Sequence, residues 1–174
     1  DADAICVLTT TDSHDDQIVR IADKCQVASF RGPEEDVLTR FYQAALRRGP
    51  EGIVRLTADC PLLDPVIVDD VIRAYKAERF DYDYFSNTIE RTYPRGMDVE
   101  LFSMQALETA HVLASSDEER EHVTPVMYKN PVYFRCKNIT NPQHHAPKDL
   151  RLTVDTEEDF QLISKILETL YPQK

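Results

Sequence analysis

The stretch GIVRLTADCPLLDP, residues 52–65, decides the fold class of this 174-residue chain. Residues 52–57 are mostly apolar and β-branched, and they predict a buried strand. Asp64 and Pro65 then predict the start of a helix, because Asp is a favoured N-cap and Pro gives up no needed N–H in the first turn. A strand followed closely by a helix is the building unit of α/β proteins.

Short strands and amphipathic helices alternate in the same way along the rest of the chain. Interleaved strands and helices favour a mainly parallel sheet covered by helices on both faces, and such sheets bind ligands at the carboxyl ends of their strands. Gly49 with Pro50 predicts the end of one helix. Further strands are predicted at residues 5–9, 27–30, 82–89, 99–102 and 150–154, and further helices around residues 18–22, from Pro33, from Ser103 and from Thr156.

The composition predicts one globular domain over residues 1–174. Apolar residues make up 42% of the chain, enough for a buried core. Lys plus Arg number 20 against 31 for Asp plus Glu, and the net charge of −11 argues against nucleic acid or anionic membrane as partners. No apolar run approaches the roughly 20 residues of a membrane-spanning helix. The four cysteines form no CxxC pair, and we expect reduced thiols in a cytoplasmic protein.

The glycines exclude two common nucleotide-binding motifs. Only four are present, at positions 32, 49, 52 and 96. Neither GxGxxG nor GxxxxGK[ST] can be written with that spacing. A Rossmann dinucleotide site and a P-loop are therefore excluded for this stretch of sequence.

Two aspartates stand where predicted strands end. Asp59 follows the strand at 52–57, and Asp155 follows the strand at 150–154. Such a carboxylate suits Mg²⁺, which takes one or two protein carboxylates together with phosphate oxygens. Two of them in one parallel sheet would converge on one ion and neutralise charge in a phosphoryl or nucleotidyl transfer. The alternative is structural: Asp59 hydrogen-bonds its own turn, and Asp155 caps the following helix.

A predicted loop at residues 90–98 places Arg95 beside Gly96. The forked guanidinium of Arg binds carboxylates and phosphates in bidentate fashion. An ordinary surface turn is the alternative reading of this loop. Glu121 and His122, which follow Arg120, equally fit a solvated helix start.

Five strings, in chain order, carry a resemblance to a known family. Together they resemble the spore coat polysaccharide biosynthesis protein F family, which groups with the acylneuraminate (CMP-sialic acid) and CMP-Kdo synthetases, all cytidylyltransferases. VDTEEDF is also similar to the VDTPEDL-type motif of the Kdo enzymes. The strings are RGPEEDVLTRFYQAA at 31–45, VRLTADCPLLDP at 54–65, SNTIERTYPRGMDVELF at 86–102, REHVTPVMY at 120–128 and LRLTVDTEEDF at 150–160.

The resemblance implies a three-layer α/β/α nucleotidyltransferase fold and dependence on Mg²⁺. It implies that a sugar hydroxyl attacks the α-phosphate of CTP, yielding a CMP-sugar and pyrophosphate. It also implies a homodimer joined through an arm within residues 86–103. By position, the resemblance assigns catalytic metal binding to Asp59 and Asp155, nucleotide contacts to Arg55, Thr57, Asp36 and Arg40, and sugar contacts to Arg95, Glu100, Glu121 and His122.

One part of the family pattern is missing from the sequence. Family members open with a strand and a loop resembling QARMGSTRLPGK, whose Arg and Lys hold the triphosphate, and we expect such a segment to precede residue 1. Two other hypotheses stay open: a glycosyltransferase of related nucleotide-sugar fold, and a truncated non-catalytic subunit. The string Asp59-Cys60-Pro61 lacks the Asp-x-Asp that is usual in the metal loop of such glycosyltransferases.

Overall fold

The computed structural model describes residues 1–141 and 150–171. Strands and helices alternate along this part of the chain, with a short 3₁₀ turn at Ser13–Asp15 before the first α-helix. The strands are β1 (Cys6–Thr10), β2 (Ala28–Gly32), β3 (Gly52–Arg55), β4 (Tyr84–Ser86), β5 (Glu100–Ser103) and β6 (Cys136–Asn138). The α-helices are α1 (Asp16–Lys24), α2 (Val37–Arg48), α3 (Pro65–Glu78), α4 (Met104–Leu113), α5 (Asp117–His122), α6 (Pro125–Tyr128) and α7 (Glu157–Leu170).

Side-chain caps begin three helices at the predicted residues. Asp64 is the N-cap of α3, and Ser103 is the N-cap of α4. Thr156 begins α7 as a complete capping box, in which Asp159 supplies the reciprocal bond. Helix α2 ends at Gly49 on its C-terminal side. Gly49 has φ +61°, a left-handed conformation that glycine adopts without strain. These local predictions are confirmed.

The predicted start of α2 is wrong, because Pro33 lies outside the helix. Asp36 is the N-cap, and its carboxylate accepts a hydrogen bond from the N–H of Thr39 at 2.8 Å. The carbonyls of Pro33 and Glu34 instead accept hydrogen bonds from the side chain of Arg40. The residues ahead of Asp36 therefore form a loop that is tied to the first turn of α2.

The predicted strand at 150–154 is also wrong. Arg151 alone forms an isolated parallel bridge, with Arg95. The N–H of Leu152 donates to the carbonyl of Arg95 at 2.8 Å, whereas the N–H of Val154 donates to the carbonyl of Asp59 at 2.8 Å. Because these groups bond to two different loops, the segment forms no regular ladder.

Contacts divide the described residues into two compact units. The first comprises Asp1–Ile53, Phe80–Tyr84 and Phe102–Cys136. The second comprises Val54–Arg79, Phe85–Leu101 and the described residues from Lys137 onward. The single domain expected over residues 1–174 stays a prediction.

In the first unit, β1 and β2 pair in parallel, with Cys6 opposite Ala28 and Thr10 opposite Gly32. A hydrophobic core joins α2, α4 and α6 with Tyr84 of β4 and Phe102 of β5 in this unit. Its fully or almost fully buried side chains are Leu38, Tyr84, Phe102, Leu107, Val123, Val126, Met127 and Phe134. The small residues Ala106 and Ala110 allow close packing of α4 within this core.

The remaining four strands form one sheet in the order β3-β5-β4-β6. In the second unit, α3 buries Val71, Ile72 and Tyr75, and the ring of Tyr75 meets Phe85 edge-on at 5.6 Å between centroids. Such edge-to-face geometry is favoured by the quadrupoles of aromatic rings. None of the described helices combines the length and the hydropathy required to cross a bilayer.

Candidate active site

The backbone brings the segments of Asp59 and Asp155 into contact. The carbonyl oxygen of Asp59 accepts a hydrogen bond from the N–H of Val154, with 2.8 Å between nitrogen and oxygen. The residue that immediately precedes Asp155 therefore lies against Asp59. Asp59 is half-buried and Asp155 is exposed. The two segments are therefore in backbone contact, and the convergence of the two carboxylates on one metal ion stays a prediction.

A second contact holds the same segment from another side. The carbonyl of Arg95 accepts the N–H of Leu152 at 2.8 Å. Gly96 has φ +96°, and a Cβ at this position would lie 2.7 Å from the carbonyl carbon of Leu152. Only glycine fits such a close backbone approach. We call the meeting point of Asp59, residues 95–96 and residues 151–155 the loop crossing.

Asp59 lies in a tight turn after β3. The strand ends at Arg55, two residues earlier than predicted, and the N–H of Cys60 then donates to the carbonyl of Thr57 at 3.3 Å. The thiol of Cys60 lies 3.3 Å from the hydroxyl of Thr57 and 3.6 Å from Oδ1 of Asp59. Burial raises the pKa of this thiol, so it stays protonated. The described partner of the Asp59 carboxylate is thus only a weak S–H donor.

The carboxylate of Asp155 is held by side chains of its own segment. Its Oδ2 accepts from the guanidinium of Arg151 at 2.5 Å and from the hydroxyl of Thr153 at 3.1 Å. The other guanidinium nitrogen of Arg151 bonds to Oδ2 of Asp159. The backbone N–H of Asp155, together with Arg151, lowers the pKa of Asp159. The N-cap of α7 is Thr156, so Asp155 does not cap the helix by itself.

Arg55 and Glu100 contact each other. Arg55 ends β3, Glu100 begins β5, and the guanidinium Nη1 lies 2.5 Å from the carboxylate Oε2. The side chains are only 15% and 10% exposed. The family resemblance places these residues on the nucleotide and sugar sides respectively, and the structure joins them in one nearly buried ion pair. Neither ligand contact is tested, and both stay predictions.

The loop between β4 and β5 is folded back on itself. The buried amide of Asn87 donates to the carbonyl of Met97 at 2.7 Å and accepts from the N–H of Val99 at 2.9 Å. Arg91 and Asp98 form a bidentate pair at 2.7 and 2.8 Å, which raises the pKa of Arg91. These contacts of Asn87 and Arg91 were not predicted from the sequence, because no periodicity links an Asn or an Arg to partners seven to twelve residues away. The dimer contact predicted for residues 86–103 stays a prediction.

Asp36 and Arg40 lie in the first unit and hold the start of α2. Arg40 is 8% exposed, and its guanidinium donates to the carbonyls of Pro33 at 2.8 Å and Glu34 at 2.7 Å. Burial lowers the pKa of Arg40. The carboxylate of Asp36 also accepts from the hydroxyl of Thr39 at 2.7 Å. These bonds give both residues a structural role, and their predicted nucleotide contacts stay predictions.

Glu121 and His122 lie exposed at the end of α5, also in the first unit. The next residue, Val123, is fully buried and has φ +71°. The N–H of Thr124 donates to the carbonyl of His122 at 2.8 Å, which makes Val123 the centre of a γ-turn. A positive φ is rare for a β-branched residue, and such strain persists only where packing enforces it. The sugar contacts of Glu121 and His122 stay predictions.

The loop crossing has donor chemistry that fits Mg²⁺. Among residues 1–141 and 150–171, no three His, Cys, Asp or Glu side chains gather where they could hold a metal ion. Mg²⁺ does not need three protein ligands, because it usually binds one or two carboxylates and completes its shell with water and substrate phosphates. Asp59 and Asp155 carry carboxylate oxygens of this kind on segments in contact, and their binding of Mg²⁺ stays a prediction.

Comparison with known proteins decides the family. A model of the family described as Cytidylyltransferase matches residues 1–173. The chain belongs to the cytidylyltransferase family. Among curated relatives of the chain, an uncharacterized protein of Methanocaldococcus jannaschii is 38% identical over 160 residues, which cover 92% of the chain and 64% of the relative. The spore coat polysaccharide biosynthesis protein SpsF of Bacillus subtilis is 31% identical over 167 residues, 95% of the chain and 68% of the relative. The chain thus spans about two thirds of their length.

Two solved structures share the fold of this chain. A cytidylyltransferase from Leptospira borgpetersenii serovar Hardjo-bovis superimposes with a TM-score of 0.88 at 34% identity, covering 97% of this chain and 69% of the other. The CMP:2-keto-3-deoxy-manno-octonic acid synthetase complexed with CTP gives a TM-score of 0.67 at 12% identity, covering 96% and 81%. The second likeness concerns the fold alone. The α/β nucleotidyltransferase fold and the family suggested by the sequence are confirmed.

Proposed function

We propose that this protein transfers CMP from CTP to a hydroxyl of a sugar or sugar acid in surface polysaccharide biosynthesis. The acceptor oxygen forms a bond to the α-phosphorus, the bond between the α- and β-phosphates breaks, pyrophosphate leaves, and the hydroxyl proton goes to solvent. The observation that carries the proposal is the hydrogen bond between Asp59 and Val154, because it brings the segments of Asp59 and Asp155 into backbone contact in a chain of the cytidylyltransferase family.

Asp59 and Asp155 are the proposed holders of Mg²⁺. When bound, the ion would neutralise negative charge on the phosphates of CTP. Backbone hydrogen bonds of the loop crossing hold the two segments together. Among the described residues, the Asp59 carboxylate meets only the Cys60 thiol and Oδ1 of Asp155 accepts no hydrogen bond, so each carboxylate keeps an oxygen for the ion. The rigid position of these loops lowers the cost of ordering the ligands.

Arg55 and Thr57 are the proposed nucleotide contacts. The carboxylate of Glu100 fixes the guanidinium of Arg55 at the end of β3, so this cation is oriented before a ligand arrives. Arg suits a phosphate because its planar fork matches phosphate geometry. The hydroxyl of Thr57 lies in the same turn as Asp59.

The acceptor sugar is the proposed partner of Arg95 and Glu100, which lie in the same unit. Arg95 is exposed, while its carbonyl is fixed by Leu152, so its side chain extends from a rigid backbone. A guanidinium at this position would pair with the carboxylate of an acidic sugar. The likeness to a protein named for spore coat polysaccharide biosynthesis supports a role in surface polysaccharide.

We propose a cytoplasmic homodimer with residues 86–103 in the contact. All four cysteines are free thiols, which fits a reducing compartment. The hydrogen bonds of Asn87 and the ion pair of Arg91 with Asp98 would give residues 86–103 a fixed shape.

The experiment incubates the full-length protein with CTP, Mg²⁺ and a panel of neutral sugars and sugar acids, and measures release of pyrophosphate. We expect pyrophosphate only when CTP and one class of acceptor are both present, together with a CMP-sugar detected by mass. A parallel series replaces CTP with UDP-sugars. Turnover of a UDP-sugar without use of CTP would overturn the proposal in favour of a glycosyltransferase, and the absence of CMP-sugar with every acceptor would overturn it as well.

A further inference from the structure

Arg151 joins two carboxylates at the start of α7. One guanidinium nitrogen, Nη1, lies 2.5 Å from Oδ2 of Asp155, and the other, Nη2, bonds to Oδ2 of Asp159. The same Oδ2 of Asp159 accepts the N–H of Asp155 and the N–H of Thr156, each at 3.0 Å. Backbone and side chain of Asp155 are therefore both tied to one small cluster.

The two described hydrogen bonds to the Asp155 carboxylate converge on a single oxygen. Arg151 and the hydroxyl of Thr153 both donate to Oδ2. Oδ1 accepts no hydrogen bond from the described residues. An ionised carboxylate offers about four lone-pair sites on its two oxygens, so the occupied Oδ2 leaves Oδ1 able to bind a further partner.

This arrangement matters because Asp155 is exposed. Its side chain is 53% accessible, and an exposed carboxylate without neighbours rotates freely. The forked guanidinium of Arg151 removes that freedom, since it must satisfy Asp155 and Asp159 together. A lysine is a point charge and cannot hold two carboxylates with the same planar geometry.

We propose that Arg151 is a positioning residue that presents Oδ1 of Asp155 to a divalent cation. This inference rests on the proposed function, in which Asp59 and Asp155 hold a divalent cation. Arg151 does not touch the cation in this scheme. It acts through Asp155, and Thr153 supports the same orientation. Hydrogen-bond partners of metal-binding carboxylates commonly change metal affinity by tenfold to a hundredfold when removed.

A purely electrostatic role makes the opposite prediction. A positive guanidinium beside a metal ligand repels the cation, so removal of the charge alone would tighten binding. Arg151→Lys keeps the charge and loses the fork, whereas Arg151→Met loses both. If positioning dominates, both variants weaken binding. If repulsion dominates, Arg151→Met strengthens it and Arg151→Lys leaves it unchanged.

The test measures Mn²⁺ binding to the full-length protein by the loss of the electron paramagnetic resonance signal of free Mn²⁺. We expect the dissociation constant to rise roughly tenfold to a hundredfold in Arg151→Lys and Arg151→Met, and by a smaller factor in Thr153→Val. The matched control is Arg73→Met, which removes the same charge from the exposed pair of Arg73 with Asp70 in α3 and should leave Mn²⁺ binding unchanged. Circular dichroism checks that each variant is folded.

Asp155→Asn separates this inference from the proposed function. If Asp155→Asn weakens Mn²⁺ binding while folded Arg151→Met binds Mn²⁺ as tightly as the native protein or more tightly, the positioning role is overturned and the metal site stands. If Asp155→Asn leaves Mn²⁺ binding unchanged, the metal site at Asp155 and the positioning role are both overturned.

Discussion

The loop crossing and the start of α2 use the same residue types in opposite ways. At the start of α2, the side chains of Asp36 and Arg40 hold the backbone, through bonds to the N–H of Thr39 and to the carbonyls of residues 33–34. At the loop crossing, one backbone hydrogen bond joins Asp59 to Val154 and another joins Arg95 to Leu152. Among the described residues, the Asp59 carboxylate meets only the Cys60 thiol and the Asp155 carboxylate is held through Oδ2 alone, so each keeps an oxygen for a ligand. Whether a contact forms a candidate site or a structural support therefore depends on which atoms donate and accept, more than on the residue types.

The largest expected effect is that of Asp59→Asn at the loop crossing. We expect CMP transfer by the full-length protein to fall at least about a hundredfold, because loss of charge compensation at the phosphates is worth several kcal/mol. Stability should change by less than about 0.5 kcal/mol, since the described partner of the carboxylate is a weak thiol donor. Enzyme kinetics and urea unfolding measure the two effects. Asp23→Asn, an exposed change in α1, is the control, and full activity in Asp59→Asn would contradict the account.

The pair of Arg55 and Glu100 tests whether a site residue also supports the fold. Glu100→Gln leaves the nearly buried Arg55 guanidinium without its counter-charge, so we expect unfolding free energy to fall by about 2–4 kcal/mol. Asp98→Asn breaks the more exposed pair with Arg91, and its cost should be about 1 kcal/mol or less. Equal losses in urea unfolding of the two variants would show that burial does not set the difference.

Arg40→Met tests whether Arg40 acts as a structural support at the start of α2. It removes two charge-assisted hydrogen bonds to carbonyls, and we expect a stability loss of about 2 kcal/mol. The KM for CTP should stay within about twofold if Arg40 acts only as a support. Arg48→Met, an exposed change at the end of the same helix, should cost less than about 0.5 kcal/mol. A raised KM without loss of stability would instead favour the nucleotide contact implied by the family resemblance.

Asp15→Asn has the smallest expected effect on stability, and this effect depends on pH. Hydrogen bonds from Thr10 and Thr9 lower its pKa to about 2, below the usual 3.8. A lowered folded-state pKa stabilises the fold above about pH 4, and this contribution is lost as the pH falls towards 2. Asp15→Asn should therefore be less stable than the native protein at pH 6, and the difference should shrink between pH 4 and pH 2. A difference in urea midpoint that is independent of pH would contradict the assignment.

Local signals in the sequence were sufficient for much of the fold. The caps at Asp64, Ser103 and Thr156 and the helix end at Gly49 depend on residues within one turn, so spacing alone predicts them. The predicted strand at 150–154 failed because its backbone groups bond to loops more than fifty residues away in the chain.

The candidate site likewise contains residues that the sequence predicts and contacts that it does not. Asp59 and Asp155 were found from their places after predicted strands, although β3 ends four residues before Asp59. The pairing of Arg55 with Glu100 joins residues 45 positions apart, and no short motif encodes it. The role of Arg151 was missed, even though its spacing of four residues from Asp155 was visible in the sequence.

The most direct test of the account is a double-mutant cycle for Mn²⁺ binding with Asp59→Asn, Asp155→Asn and the double variant of the full-length protein. If both carboxylates hold one ion, each single change weakens binding, and the double variant loses less than the product of the two single losses. Losses that simply multiply, or native affinity in either single variant, would contradict the claim that the two segments joined at Asp59 and Val154 share a cation.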